Sequence, residues 1–194
     1  FLDQRDNRLQ IKQISKGLSV LNVFSYTGGF SIYAIAGGCK KIVEIDSNAW
    51  ALKSSIQNLK LNFNGIRNFE YQQIEGDAFK KLKELRSKKI KFDLVILDPP
   101  AFARSKKHRP QALEAYSRLA ELGVQLVAKG GRMFAASCSA PVSANDFYKA
   151  VHKGVALANK KLTEISRNRH SIDHPVLFEE MEYLKSVLGW VRSK

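Results

Sequence analysis

The chain has 194 residues, 44% hydrophobic and 26% charged, which suits one domain that buries its core without disulfides or metals. No apolar run approaches the roughly 20 residues that span a bilayer, so no membrane-spanning helix is expected. The 32 Lys and Arg against 18 Asp and Glu leave a net charge of +14, and that excess favours a polyanionic partner. The elements follow in order. "LSVLNVF" (18–24) reads as a buried strand that ends in "SYTGG", and "FSIYAIAGG" as a short helix. "KKIVEID" (40–46) is a second strand. Residues 47–61 carry Ala49, Leu52, Ile56, Leu59 and Leu61 as a helical stripe, with Ser47 as the cap. "FEYQQIEGD" is a weaker strand, 78–87 a helix, and "FDLVILD" (92–98) a strong strand stopped by Pro99-Pro100. A long helix is expected over 111–129, then a strand over 132–138. Ser143 and Asp146 have capping-box spacing at the start of another helix. From Lys161 onward two further strands fit, as an antiparallel edge pair.

Alternating strands and helices with near-continuous apolar strands predict a mostly parallel sheet covered on both faces, in a single domain over 1–194. The opening "FLDQRDNR" has no initiating Met and reads as the interior of a longer chain. Cys39 and Cys138 make no disulfide framework, which fits a reducing cytoplasm. His170 and His174 lack partners at zinc spacing, so no metal is expected. Three basic stretches, 80–91, 104–109 and 159–170, point to nucleic acid before a membrane surface, since no helix has a Trp- and Leu-rich apolar face.

Ligands of parallel sheets bind beyond the carboxyl ends of the strands. Those ends carry "FSYTGG", Asp46, Asp77, "DPP" and "SCS". A glycine turn before a helix N-terminus and an acid after strand two suit a nucleoside-containing cofactor, although "YTGGF" is not G-x-G-x-x-G and an ordinary tight turn reads the same. Asp77 fits either an adenine amino group or the cap of the next helix. Two prolines stiffen the chain after Asp98 and hold that carboxylate beside the pocket, with Phe102 as a stacking surface.

Together "FLDQRDNR", "FSYTGGF", "EIDSN", "NLKLN", "EGDAF", "LDPPAF", "SCS" and "IDHPV" resemble, in order, the catalytic domain of class I S-adenosylmethionine-dependent rRNA methyltransferases. The subgroup most similar makes 5-methylcytosine in bacterial large-subunit rRNA. The resemblance implies a Rossmann-like fold with a seven-stranded, mostly parallel sheet, helices on both faces and an antiparallel edge strand. It also implies an RNA-binding part upstream, S-adenosyl-L-methionine as cofactor and large-subunit rRNA or a ribosomal particle as partner. By the same resemblance, Phe24, Ser25, Tyr26, Gly28 and Gly29 meet the methionine and ribose side of the cofactor. Asp46, with Ser47, holds the ribose, Asp77 and Ala78 the adenine. Asp98 faces both methionine and target base, and Gln4 and Arg8 close over the cofactor.

On its own, Cys138 at a strand end reads more readily as core than as catalyst. The resemblance aligns it with the nucleophile. Cytosine C5 is a poor nucleophile until a thiolate adds to C6, and that chemistry needs a cysteine whose pKa is lowered by a positive cleft. It also needs an acid–base partner, for which Asp98 fits, and a receiver for the flipped base, Phe102 or Tyr26. The base that removes the C5 proton has no assignment; His174 is a candidate by elimination. Three rivals remain: an rRNA guanine N-methyltransferase, which needs no cysteine; a nicotinamide-dependent oxidoreductase; and a non-catalytic RNA-binding module.

Overall fold

A computed structural model describes residues 2–63, 68–174, 176 and 182–194. A 3-10 turn, Leu2–Gln4, leads into α1 (Arg5–Ile14). There follow β1 (Ser19–Val23), α2 (Gly29–Ala36), β2 (Lys41–Asp46), α3 (Ala49–Asn62), β3 (Glu70–Glu75) and α4 (Ala78–Ser87). The second half holds β4 (Phe92–Leu97), α5 (Arg109–Val124), β5 (Val127–Ser137), α6 (Ala144–Leu157), β6 (Lys160–Asn168) and β7 (Lys185–Ser193). The seven strands lie in the order β3-β2-β1-β4-β5-β7-β6. All pairings from β3 to β5 are parallel. β7 is the reversed strand, antiparallel to both β5 and β6, and β6 closes the sheet outside it.

Successive strand residues point to opposite faces, and both faces here are apolar. Val20, Ile42, Leu94, Ile96 and Phe134 pack with Ile11 of α1, Phe30, Ala34 and Ile35 of α2 and Leu59 of α3. Leu21, Val23, Ile45, Val95, Leu97 and Met133 pack on the other face with α4, α5 and α6. Two buried polar side chains inside this frame tie elements together through hydrogen bonds. Asn22, in the middle of β1, donates to Ser31 Oγ of α2 at 2.9 Å. The fully buried Glu44 accepts from Ser55 Oγ, the Tyr71 hydroxyl and Gln73 Nε2 at 2.8, 2.7 and 3.0 Å, and so ties β2 to α3 and β3.

Three expectations change. The helix expected over 111–129 ends at Val124, and β5 begins at Val127, because Val127 pairs with Phe92 while Arg132 pairs with Leu94. Residues 128–131 bulge between those two pairs, with Gly130 at φ +75°. The cap of α3 is Asn48, whose side chain accepts from Trp50 and Ala51 N–H at 3.0 and 3.1 Å; Ser47 lies one residue earlier and exposed. The buried stripe of α3 is Ala51, Leu52, Ser55 and Leu59, while Ala49 and Ile56 are exposed and Leu61 is 82% exposed. At α6 the expected cap holds: Ser143 Oγ accepts from Asp146 N–H at 3.2 Å.

Candidate active site

Parallel strands end on one edge, and the chain there is shaped for a ligand. After Val23, β1 turns sharply through Phe24 (φ +62°), Ser25 and Tyr26 (φ +49°), two non-glycine residues in the left-handed region. Such strain of roughly 1–3 kcal/mol each clusters at binding sites. The turn is pinned by Ser25 N–H to Ile45 O at 3.1 Å and by Tyr26 N–H to Asp46 Oδ2 at 2.8 Å. Asp46 also accepts from Asn48 N–H at 2.9 Å, so its carboxylate is fixed at the end of β2. Gly28 (φ +80°) precedes α2; a Cβ there would sit 2.1 Å from Ser55 Oγ, so glycine lets the turn lie against α3.

A cavity of about 300 Å3 opens at this edge, lined by Phe24, Tyr26, Asp46, Ser47, Asn48, Asp98, Pro99, Pro100 and Cys138, with Asp3 and Gln4 from the N-terminal turn. A smaller one of about 60 Å3 adjoins it, lined by Gln4, Arg8, Phe24, Ser25, Tyr26, Gly29 and Asp98 among others. Arg8 stands at the start of α2, 3.1 Å from the point where a Gly29 Cβ would lie, so a guanidinium and a helix N-terminus face the same small space. Gly28 lines neither cavity. Asp77 caps α4, accepting from Lys80 N–H at 2.9 Å, and Ala78 is buried in the core. The Gly76 N–H to Asp46 carbonyl bond, 2.9 Å, ties the chain before Asp77 to the end of β2, but neither Asp77 nor Ala78 lines either cavity. Phe102 packs against Tyr116, with ring centroids 4.8 Å apart, and lines neither cavity.

Asp98 follows β4 and is held from the N-terminal turn: Gln4 Nε2 donates to its Oδ1 at 2.9 Å. Gln4 in turn accepts from Asn7 Nδ2 at 2.6 Å, and Asn7 Oδ1 accepts from Asn168 Nδ2 and Ser186 Oγ, both at 3.0 Å. Burial pushes the Asp98 carboxyl up to about 7, and nearby Asp3 adds to the rise, while Arg8 and the Gln4 hydrogen bond oppose it. Asp3 is itself buried, and its Oδ1 has no hydrogen-bond partner.

The "SCS" segment is explained by its serines. Ser137 Oγ donates to the Tyr116 hydroxyl at 2.8 Å, and that hydroxyl pairs with Ser139 Oγ, also at 2.8 Å. Ser139 Oγ accepts from Ala103 N–H at 3.3 Å. The serines clamp the strand end to α5 and the "DPPAF" loop, and Cys138 between them faces the cavity beside Pro99, to whose carbonyl its thiol points at 3.9 Å. One expectation is reversed here. Burial pushes the Cys138 thiol up to about 11, with Asp98 and Asp3 adding to it; Lys185 and a backbone hydrogen bond only partly counter them. The local field at the sulfur is apolar and anionic, although the molecule is basic. His174 lies apart, in a cavity with Arg169 and His170.

Asp3, Asn48 and Lys185 were not singled out from sequence. The signal for Lys185 was a lone lysine inside the apolar run "YLKSVLGW".

This geometry belongs to a cofactor-dependent transferase of the Rossmann-like class, and three comparisons agree. Residues 1–169 match the S-adenosylmethionine-dependent methyltransferase family, and the chain belongs to that family. It is 41% identical over 187 residues to a Deinococcus radiodurans protein named ribosomal RNA large subunit methyltransferase, covering 96% of this chain and 45% of the relative. It is 39% identical over 190 residues to ribosomal RNA large subunit methyltransferase I of Aeromonas salmonicida, covering 97% and 48%. The chain thus spans a little under half the length of these relatives. Among solved structures, SMU.776 in complex with S-adenosylhomocysteine superposes with a TM-score of 0.86 at 28% identity, over 98% of this chain and 50% of that one. The tRNA m1G37 methyltransferase of M. jannaschii shares the fold, with a TM-score of 0.62 at 20% identity over 99% and 50%.

The cofactor of the family is S-adenosylmethionine, and the residues present fit it. The fixed Asp46 carboxylate suits a ribose diol, Ser25 Oγ is buried without a partner beside the turn, and Arg8 with the start of α2 suits a carboxylate.

Proposed function

We propose that this domain methylates C5 of a cytosine in large-subunit rRNA through a covalent adduct on Cys138. The observation that carries the reading is that Cys138 and Asp98 line the same cavity as Phe24, Tyr26 and Asp46. A thiol, a carboxylic acid and a nucleoside-binding edge share one space. The rRNA substrate is supported by the names of the relatives, by the net charge of +14, and by the exposed basic run Arg104–Arg109 directly after the "DPPAF" loop. A cytoplasmic location goes with that substrate.

The cofactor supplies an electrophilic methyl group on a sulfonium; the protein prepares its acceptor. Phe24, Ser25, Tyr26, Asp46, Ser47 and Arg8 hold the cofactor, Gln4 and Gly29 border it, and Asp77 with Ala78 closes the adenine end. Gly28 shapes the turn from behind. The target base enters the cavity against Tyr26, which is 53% exposed, and Pro100. Ionised Asp98 takes the Cys138 proton, Sγ bonds to C6, and Asp98 delivers that proton to N3, so that C5 becomes nucleophilic. Once C5 carries the methyl group, a base takes its proton, the C5–C6 double bond returns, the C6–S bond breaks, and the N3 proton passes back through Asp98 to the sulfur. Asp3, a second carboxylate in the cavity with an unpartnered oxygen, fits that base better than His174.

The test is a covalent trap. The protein is incubated with S-adenosylmethionine and large-subunit rRNA containing 5-fluorocytidine, where fluorine blocks the last proton removal. We expect a denaturation-resistant protein–RNA adduct that Cys138→Ala abolishes while cofactor affinity stays nearly unchanged. Cofactor bound, RNA methylated and no adduct would move the reading to a guanine nitrogen.

A further inference from the structure

A lysine with 1% exposure sits in β7 directly opposite the strand end that carries Cys138. In the β5–β7 pairing, Lys185 is the cross-strand partner of Ser137. Its Nζ donates to the carbonyls of Ser139 and Val142, each at 2.6 Å. These two carbonyls bracket the turn that follows Cys138, a turn also closed by Val142 N–H to Ser139 O at 3.1 Å. A buried ammonium is costly and persists only with good partners, and neutral side chains would serve a mere loop staple.

We propose that Lys185 is a positioning residue for Cys138: it fixes the turn that aims the sulfur into the cavity, and its charge offsets the anions around that sulfur when the thiolate forms. This rests on the covalent reading above.

The surroundings support the second half. Facing the sulfur are Asp98 after β4, Asp3 from the N-terminal turn, Tyr116 of α5 and Tyr183 before β7, and among these described groups Lys185 is the cation that favours the thiolate. Glu182 and His170 complete the titratable groups acting on or near Lys185. Burial lowers the Lys185 ammonium to about 8, so it is still charged at neutral pH.

The experiment reads thiol chemistry and needs no RNA. In a Cys39→Ala background, alkylation of Cys138 by iodoacetamide is timed from pH 6 to 10 in the parent and in Lys185→Met. We expect the methionine variant to react about tenfold more slowly near pH 7.5, with its pH profile displaced upward, because the thiolate has lost its cation. A turn that was only stapled would loosen, expose the sulfur and speed alkylation at every pH without displacing the profile; that result overturns the proposal. Should Lys185→Met fail to fold, Asp98→Asn with Lys185 intact gives a second reading. There the rate rises with pH up to about 8 and then bends as Lys185 discharges; an unbroken rise overturns the proposal equally. Because alkylation is independent of methyl transfer, a failed 5-fluorocytidine trap with a displaced alkylation profile would reject the covalent reading alone.

Discussion

Asp98 carries the clearest pH signature of any residue here. Its pKa of about 7 in the folded protein lies above the ~4 of an unfolded carboxylate, so between these values the folded protein holds a proton that the unfolded chain has released. Stability therefore falls as pH rises through that window. Asp98→Asn keeps an oxygen for Gln4 and removes the charge; we expect it to stabilise the protein by about 1–2 kcal/mol at pH 8 and hardly at all at pH 4, the cavity's water screening the rest. Chemical unfolding at the two pH values checks this, and equal shifts at both would contradict it. At Asp46 the carboxylate accepts from two backbone N–H groups, and in the proposed site its remaining lone pairs meet the ribose. Asp46→Ala should weaken S-adenosylmethionine binding by about 1–3 kcal/mol in a calorimetric titration. The places of Asp46, Asp98 and Cys138 at strand ends follow from the pattern, whereas the reading of Cys138 as more than core came from the family resemblance. The direction of the Cys138 shift was not readable, because net charge says nothing about the few ångströms around a sulfur.

Between elements, the packing of the β1–α2 turn on α3 is sensitive to a single atom. Gly28→Ala meets both a left-handed backbone and the Ser55 hydroxyl already engaged by Glu44. We expect a loss of at least about 1–2 kcal/mol and a melting temperature lower by several degrees; a variant as stable as the parent would refute the packing role. β1, β2 and β4 were legible because each is a short apolar run closed by a turn signal, whereas β3, the half-exposed edge segment "EYQQIE", gave the weaker pattern. The end of α5 was not legible, since "GVQLVAKGG" continues a helical spacing and only the bond from Phe92 N–H to Leu126 O, with the Phe92–Val127 pairing, draws the chain into the sheet. The α3 stripe misled for a related reason. Ser55 is polar yet buried, because Glu44 and Tyr71 give its hydroxyl partners, whereas Leu61 is apolar yet exposed.

For the whole molecule, charge and site are arranged at different ranges. The net charge of +14 acts over a Debye length, while the cavity itself contains Asp3, Asp46 and Asp98. RNA affinity should therefore fall steeply with salt, with a slope of about 0.7–0.9 per phosphate contacted, while S-adenosylmethionine affinity hardly moves; filter binding and calorimetry at two salt concentrations separate them. Parallel changes in both would mean that the cofactor too is held by long-range charge. This division was half visible in the sequence: the basic runs stand out and the strand ends put Asp46 and Asp98 on one edge, but Asp3 joins them only because the N-terminal turn folds over that edge.

The reversed strand β7 has a consequence in time. A ribosome releases this chain from its first residue onward, so β1 to β4, with the turn and Asp46, leave the exit tunnel long before Lys185 and Ser186. Until β7 slides between β5 and β6, Ser186 cannot reach Asn7, 179 positions earlier, and the carbonyls after Cys138 have no ammonium to hold them. A nascent chain can thus pair β1 to β4 and set the turn beside Asp46 while the turn after Cys138 still waits for the strand that pins it.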